Sequence, residues 1–241
     1  MSTIKDNPHL TPTLCAPEGR RGRDPRKREG EVGLLTRRQS LSILAALALC
    51  AAGARAATPP KAAPLGAQDN QEVQRLQAYL NGIRTLQSRF EQVSEDGGVA
   101  HGTIWIERPG RMRIVYDPPV PILIVATDGQ IYYFDRNLQE VSRTYLNDTP
   151  AWFLLRDPIT LGGDVTLTNF SHAADTIRLT FLETKNPDLG QVTLVLSDQP
   201  LELRQWTVLD AQKKRVTVTL VDPHYGVALN PNLFYWTDPR G

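Results

Sequence analysis

Apolar residues change their spacing once along this chain. From Val73 they recur at Leu76, Leu80, Ile83, Leu86 and Phe90. Those steps of three and four stripe one face of a helix. The spacing predicts a long N-terminal helix from Asp69 to about Arg89, with Asp69 as cap and Glu72 completing a capping box. Beyond Phe90 the period falls to two. Turn signals then recur at Asp96-Gly97-Gly98, Arg108-Pro109-Gly110, Pro118-Pro119 and Asp128-Gly129. Between them, β-branched and aromatic runs at 99–107, 111–117, 122–127 and 130–135 predict an antiparallel meander. Residues 149–156 predict a short helix, with Thr149 as cap and Pro150 in its first position. Strands resume at about 164–170, 175–182, 191–197, 201–209, 213–221 and 233–237. The fold class is α+β: a single domain on one large, curved antiparallel sheet, with a long N-terminal helix and a short apolar one.

Two patterns do not fit a sheet with one wet face. Ile104-Trp105-Ile106 and Ile122-Leu123-Ile124-Val125 are apolar at every position. Either both faces of those strands are covered or one lines a cavity. A closed core between sheet and helices explains the pattern as well as a cavity does. Trp152-Phe153-Leu154-Leu155 poses the same choice. Four consecutive helical positions cannot share one stripe, so some of them face elsewhere.

A different apolar run precedes all of this. Residues 36–57 join Arg37 and Arg38 to an apolar stretch from Leu41 to Ala52, then to small residues at Ala54 and Ala56. That is the layout of a secretory signal cut between Ala56 and Ala57. The stretch is about a dozen residues, short for a membrane span. Thr36-Arg37-Arg38 points weakly to twin-arginine export, although Ser40 stands where a bulky apolar residue is usual. Leu49 ahead of Cys50 fits a lipoprotein box poorly. The domain organisation is then an unpatterned lead over 1–33, as a misassigned start would leave, a cleavable signal over 34–56, a Pro/Ala linker over 57–68 and one domain over 69–241.

Setting residues 1–56 aside changes the charge. The 27 Lys+Arg and 26 Asp+Glu of the whole chain become 17 and 21. An acidic balance argues against nucleic acid as a partner. Cys15 and Cys50 both fall in the removed part, so the remainder has no disulfide, thiolate nucleophile or thiolate metal ligand. His101, His172 and His224 stand alone, without metal-ligand spacing. No nucleophile elbow, phosphate loop or dinucleotide fingerprint occurs. Neither a metal nor a cofactor is expected, and an enzyme has no positive support. A carboxylate pair serving a hydrolase stays open.

Arg108 is the unusual residue. It has the strand parity of Ile104 and Ile106, so its side chain leaves the sheet on their face. Its five donors suit the backbone carbonyls of an exposed helix end. The plainer reading is a solvated arginine at the first position of a type II turn centred on Pro109-Gly110. Parity across a tight turn there places Ile104, Ile106, Met112, Ile114 and Tyr116 on one face.

An ordered set of short motifs resembles a known family. Leu86-Gln87-Ser88-Arg89-Phe90-Glu91-Gln92 comes first, then Gly102-Thr103-Ile104-Trp105-Ile106-Glu107-Arg108-Pro109-Gly110 and Tyr116-Asp117-Pro118-Pro119. Thr127-Asp128-Gly129, Tyr132-Tyr133-Phe134-Asp135, Thr149-Pro150 and Phe234-Tyr235-Trp236-Thr237-Asp238-Pro239 follow in order. Together they resemble the LolA family of periplasmic lipoprotein carriers. The resemblance implies an incomplete β-barrel closed by lid helices around an apolar cavity. Acylated lipoproteins are then the cargo, received from an inner-membrane lipoprotein-releasing ABC transporter. They are passed on to an outer-membrane acceptor, or to the outer membrane itself. It implies a monomer in the periplasm, with no catalytic group. Arg108 becomes the lid latch, and Trp152, Phe153, Leu154 and Leu155 the lid helix. Ile104, Ile106, Met112, Ile114 and Tyr116 become cavity lining, joined from the family pattern by Leu123 and Val125. Three other readings remain: a lipid sensor on the same fold, a lipid-anchored acceptor acylated at Cys50, and a periplasmic hydrolase.

Overall fold

Eleven strands form one antiparallel sheet in the computed structural model, which describes residues 60–240. The lead, the signal with its Ala56–Ala57 junction, both cysteines and the first residues of the linker lie outside the described residues. The strands are β1 (Thr85–Ser94), β2 (Val99–Glu107), β3 (Arg111–Tyr116), β4 (Ile122–Thr127), β5 (Gln130–Asp135) and β6 (Glu140–Tyr145). They continue as β7 (Val165–Ala173), β8 (Thr176–Glu183), β9 (Gly190–Ser197), β10 (Glu202–Asp210) and β11 (Arg215–Tyr225). Their order across the sheet is β6-β5-β4-β3-β2-β1-β11-β10-β9-β8-β7. Two meanders therefore meet at the β1–β11 pair. The sheet does not close on itself: its two edges, β6 and β7, are consecutive in sequence. The stretch between them carries helix α2 (Trp152–Leu155). Register shifts within the β1–β11, β9–β10 and β7–β8 pairs mark bulges, which bend and twist a sheet.

The N-terminal helix α1 spans Ala67–Gly82, sixteen residues, and buries Val73, Leu76 and Leu80. It is shorter than its apolar spacing predicts, because residues 85–94 are strand. The step from Leu86 to Phe90 is four, which satisfies a helical stripe and a strand face alike. Ser88, the strand residue between them, is buried yet polar, so it hides the alternation. Its hydroxyl donates to the carbonyls of Arg89 and Val221 beside the bulge. Asp69 is not the cap. Gly66 holds that place, and the Asp69 carboxylate accepts from the Gly66 N–H at 3.0 Å.

Three further expectations change. β6, half-exposed and carrying few apolar residues, had no predicted counterpart. Residues 233–237 are not a strand: Pro231–Phe234 form a 3-10 turn, followed by extended chain. The short helix begins at Trp152, with Ala151 at its N-cap, and Thr149 donates its hydroxyl back to Leu146 O. The Arg108–Gly110 loop has three residues, since Glu107 pairs with Arg111, and Gly110 takes φ +75°. A three-residue loop pairs even with even: Ile104 faces Ile114 and Ile106 faces Met112. Those four thus share one face, called inner below.

Gly102 shows how closely that face is packed. A Cβ there would lie 2.7 Å from the Phe90 ring and 2.4 Å from Val115 O. Phe90 uses the space above Gly102 to reach Tyr116, ring centroids 5.3 Å apart and edge to face. Gly102→Ala is therefore expected to destabilise the protein by about 2 kcal/mol. Urea unfolding measures this, and an unchanged midpoint would mean that Phe90 and β3 move aside freely.

Candidate functional site

The inner face, the chain leading into α2 and α2 itself enclose an apolar cavity. Ile104, Ile106, Met112, Ile114 and Tyr116 all line it, from β2 and β3. β1 adds Phe90 and Gln92, β10 adds Trp206 and Val208, and β11 adds Val216 and Val218. Pro150, Ala151 and Leu154 cover it from the side of α2. Its volume is about 60 Å³, room for a few water molecules.

Leu123 and Val125 do not line this cavity. Ile114 pairs with Ile124 and Met112 with Ala126, so the even residues of β4 look inward. Leu123 and Val125 face out and pack with Phe134, Val115, Val141 and Trp236 as a second, smaller core. β4 is buried at its first five positions, so hydrophobicity alone carried no sign of which face was which. The C-terminal segment covers this outer core. Trp236 stacks on Tyr132 at 4.6 Å between centroids, and Arg113 Nη1 donates to Leu233 O at 3.1 Å.

The four residues of α2 divide as an apolar run must. Phe153 and Leu155 are buried, and Phe153 sits 3.8 Å, centroid to centroid, from Phe181. Leu154 lines the cavity. Trp152 is half-buried under the Arg156 guanidinium, 4.8 Å from its ring centroid.

Arg108 is buried, with 8% of its surface exposed. Its Nη2 donates to the carbonyls of Leu80 and Ile83, at the C-terminal end of α1. A helix C-terminus carries unpaired carbonyls and partial negative charge, which suit a cation. Two residues on, the Gly110 N–H donates to Leu155 O, the last residue of α2, at 2.8 Å. One three-residue loop thus holds both helix ends. Other bonds tie α1 to the chain beyond α2. Asn81 exchanges two hydrogen bonds with the Ile159 backbone, each 2.8 Å, and Arg84 pairs with Asp157. Burial pushes the Arg108 guanidinium down to about 10, offset in part by the nearby Asp157 carboxylate, so it stays a cation at neutral pH. Its Nη1 is buried without a partner among the described residues.

Polar groups in the cavity are few. The Tyr116 hydroxyl donates to Gln92 Oε1 at 2.7 Å, and burial raises the phenol well above its ordinary pKa, which keeps the proton on oxygen. Sequence reasoning had not marked Gln92 or Trp206. The available signal was weak: Gln92 shares the parity of Leu86 and Phe90, but so do Ser88 and Ser94. Among the described residues, no three of His, Cys, Asp and Glu gather as a metal would need, and no helix is long and apolar enough to cross a membrane.

Comparison with known proteins follows the same lines. The family model described as "Outer membrane lipoprotein carrier protein LolA" matches residues 81–237. An outer-membrane lipoprotein carrier protein of Nitrosomonas europaea is 26% identical over 178 residues, 70% of this chain and 86% of its own length. One from Pseudomonas paraeruginosa is 26% identical over 184 residues, 73% of this chain and 88% of its own. An uncharacterized protein of Rickettsia prowazekii is 24% identical over 127 residues, 53% of this chain and 60% of its own.

The outer core is separate from the cavity, and its stability is open to test on its own. Trp236→Ala removes the stacking partner of Tyr132 and the cover over Leu123 and Val125. It is expected to lower stability by about 2 kcal/mol, less than a fully buried tryptophan would cost. Denaturant unfolding reads the effect, and a loss below about 0.5 kcal/mol, the range of ordinary surface changes, would count against a second core.

Proposed function

This chain belongs to the LolA family of outer membrane lipoprotein carrier proteins, and we propose that it takes the acyl chains of lipoproteins into its apolar cavity and ferries them across the periplasm. In this reading residues 1–56 are the export signal with its lead, and the carrier begins at Ala57. The cargo comes from the inner-membrane lipoprotein-releasing ABC transporter and leaves to an outer-membrane acceptor or the outer membrane itself. The carrier works as a monomer and makes or breaks no covalent bond. The observation that carries the proposal is an apolar cavity roofed by α2 and the chain leading into it, with the C-terminal ends of both α1 and α2 held by the Arg108–Gly110 loop.

Energetics explain why such a carrier needs a lid and no catalytic group. Exposing a sixteen-carbon chain to water costs about 12 kcal/mol, at roughly 0.8 per methylene. The carrier must hide most of that chain and still give it up. A space of about 60 Å³ does not admit it, so α1 and α2 move away from the inner face when cargo enters. Arg108 is the latch for that motion. Its bonds to Leu80 and Ile83 exist only while α1 is docked, and each charge-assisted bond contributes roughly 1.5–3 kcal/mol. The closed state is then favoured when the cavity is empty, and cargo must offset it.

Protein recovered from a periplasmic extract is expected to carry an acylated protein, read by native mass spectrometry. Recovery without one, together with no saturable binding of a fluorescent fatty-acid probe, overturns the proposal. Two variants probe the parts. Ile114→Glu puts a carboxylate against the cavity and is expected to weaken probe binding at least ten-fold at pH 8, with the far-UV circular dichroism of the parent. Loss of the folded signal instead would make Ile114 a core position. Arg108→Leu removes the latch and raises the open fraction about ten-fold or more, the effect of losing one or two such bonds. It is expected to hold probe more tightly and to release lipoprotein to acceptor membranes less readily. Weaker probe binding would place Arg108 in direct contact with cargo and end the latch account.

A further inference from the structure

Hydrogen-bond donors outnumber their partners inside the cavity. Gln92 is 2% exposed and Trp206 6% exposed, and both line it. The Tyr116 hydroxyl and the Gln92 amide have three donor hydrogens between them: one on the phenol and two on the amide. Only one is used, in the bond between the two side chains. Turning the amide over does not help. The amide N–H would then donate to the phenol oxygen, and the phenol hydrogen would be free in its place. Either way two donors are left unspent among the described residues. The Trp206 indole N–H makes no hydrogen bond among them either.

These groups belong to one row of the sheet. Val218 pairs with Gln92 on one side and with Trp206 on the other. Two strand spacings put the Cα atoms of Gln92 and Trp206 about 10 Å apart. Around them the wall is apolar: Phe90, Ile104, Ile114, Val208 and Val216. Buried polar groups are nearly always satisfied, and these spare donors border a space with room for a few water molecules, so they are open to an acceptor that displaces water. A ligand that takes the place of such water must bring an acceptor, and it must be apolar elsewhere to enter such a wall. The carbonyl oxygen of an acyl ester has that chemistry.

We infer that Gln92, oriented by Tyr116 and assisted by Trp206, forms a polar subsite that donates hydrogen bonds to the ester carbonyl of a bound acyl chain. The inference rests on the acyl-binding reading above and refines it. It makes the cavity selective for esterified acyl chains over plain hydrocarbon, and it fixes how far an ester is drawn in. Tyr116 is a positioning residue here, since it holds the Gln92 amide in place.

The test compares three matched pyrene-labelled long-chain probes: a fatty-acid methyl ester, the ether in which two hydrogens replace the carbonyl oxygen, and the free acid. Wild-type protein is expected to bind the ester about five-fold to ten-fold more tightly than the ether, the worth of one ordinary hydrogen bond. Gln92→Met, similar in shape and without donors, should bring the ester-to-ether ratio close to one. Trp206→Phe, which keeps an aromatic wall, should reduce the ratio in part. It serves as a second variant should Gln92→Met fail to fold. Equal binding of ester and ether by wild-type protein would overturn the subsite, as would a ratio unchanged in both variants. Tighter binding of the free acid than of the ester would reassign the donors to a carboxylate and overturn the ester inference. Failure of all three probes to bind the wild type would instead overturn the acyl-cavity reading, and this inference with it.

Discussion

A buried cation at a helix end is the contact on which the rest of the arrangement depends. Arg108 reaches up from the β2–β3 loop and donates to the last carbonyls of α1. Leu80 O otherwise has only the Ile83 N–H at 3.3 Å, and to this helix end the guanidinium brings both donors and opposite charge. The same loop binds the end of α2 through the Gly110 N–H. Geometry then does the remainder. A three-residue loop sets the even register between β2 and β3, and that register turns Ile104, Ile106, Met112 and Ile114 inward beneath the helices that Arg108 and Gly110 hold. Both helix ends and the cavity wall are positioned from one short stretch of chain.

The sheet is left open for a related reason. Strands β6 and β7 are the two edges, and the chain between them runs through α2. Closing the edges by hydrogen bonding would give a rigid wall. Bridging them with a helix held by a few local bonds leaves one side of the wall able to move while the ladder stays intact. The proposed carrier role needs that division between a fixed apolar surface and a displaceable cover. The outer face follows a different logic. Over β3 to β6 it is covered by Trp236 and the turn before it, which pack there as a separate small core.

Much of this was legible along the chain. Short β-branched and aromatic runs, cut by Asp-Gly, Pro-Gly and Pro-Pro turns, determined β2, β4 and β5 to the residue and most of the later strands within two or three. Those signals are local: a turn residue acts on its own backbone, and a strand shows its alternation wherever one side meets water. The same parity put Arg108 on the side of Ile104, and its donors suited a helix end. The apolar spacing of α1 was sound as far as Gly82. Past that point a step of four, from Leu86 to Phe90, fitted helix and strand equally, and the buried Ser88 concealed which one held.

What the chain alone left open needed contacts far apart in sequence. Leu123 and Val125 look inward or outward according to the pairing of β4 with β3, and a strand apolar throughout shows no preference. Whether the outer face was wet or covered was decided by a tail more than a hundred residues later. β6 is half-exposed and sparsely apolar, so pairing with β5 makes it a strand, where its own pattern would not. Gln92 reads as an ordinary polar residue until Tyr116, Val218 and Trp206 are brought around it from three other strands. Sequence by itself determined the elements and the side on which the arginine emerges, because these depend on neighbours along the backbone. Which faces enclose the cavity, and which donors remain unpaired inside it, was decided by tertiary structure alone, because burial and hydrogen bonding there are set by residues that meet only once the sheet is formed.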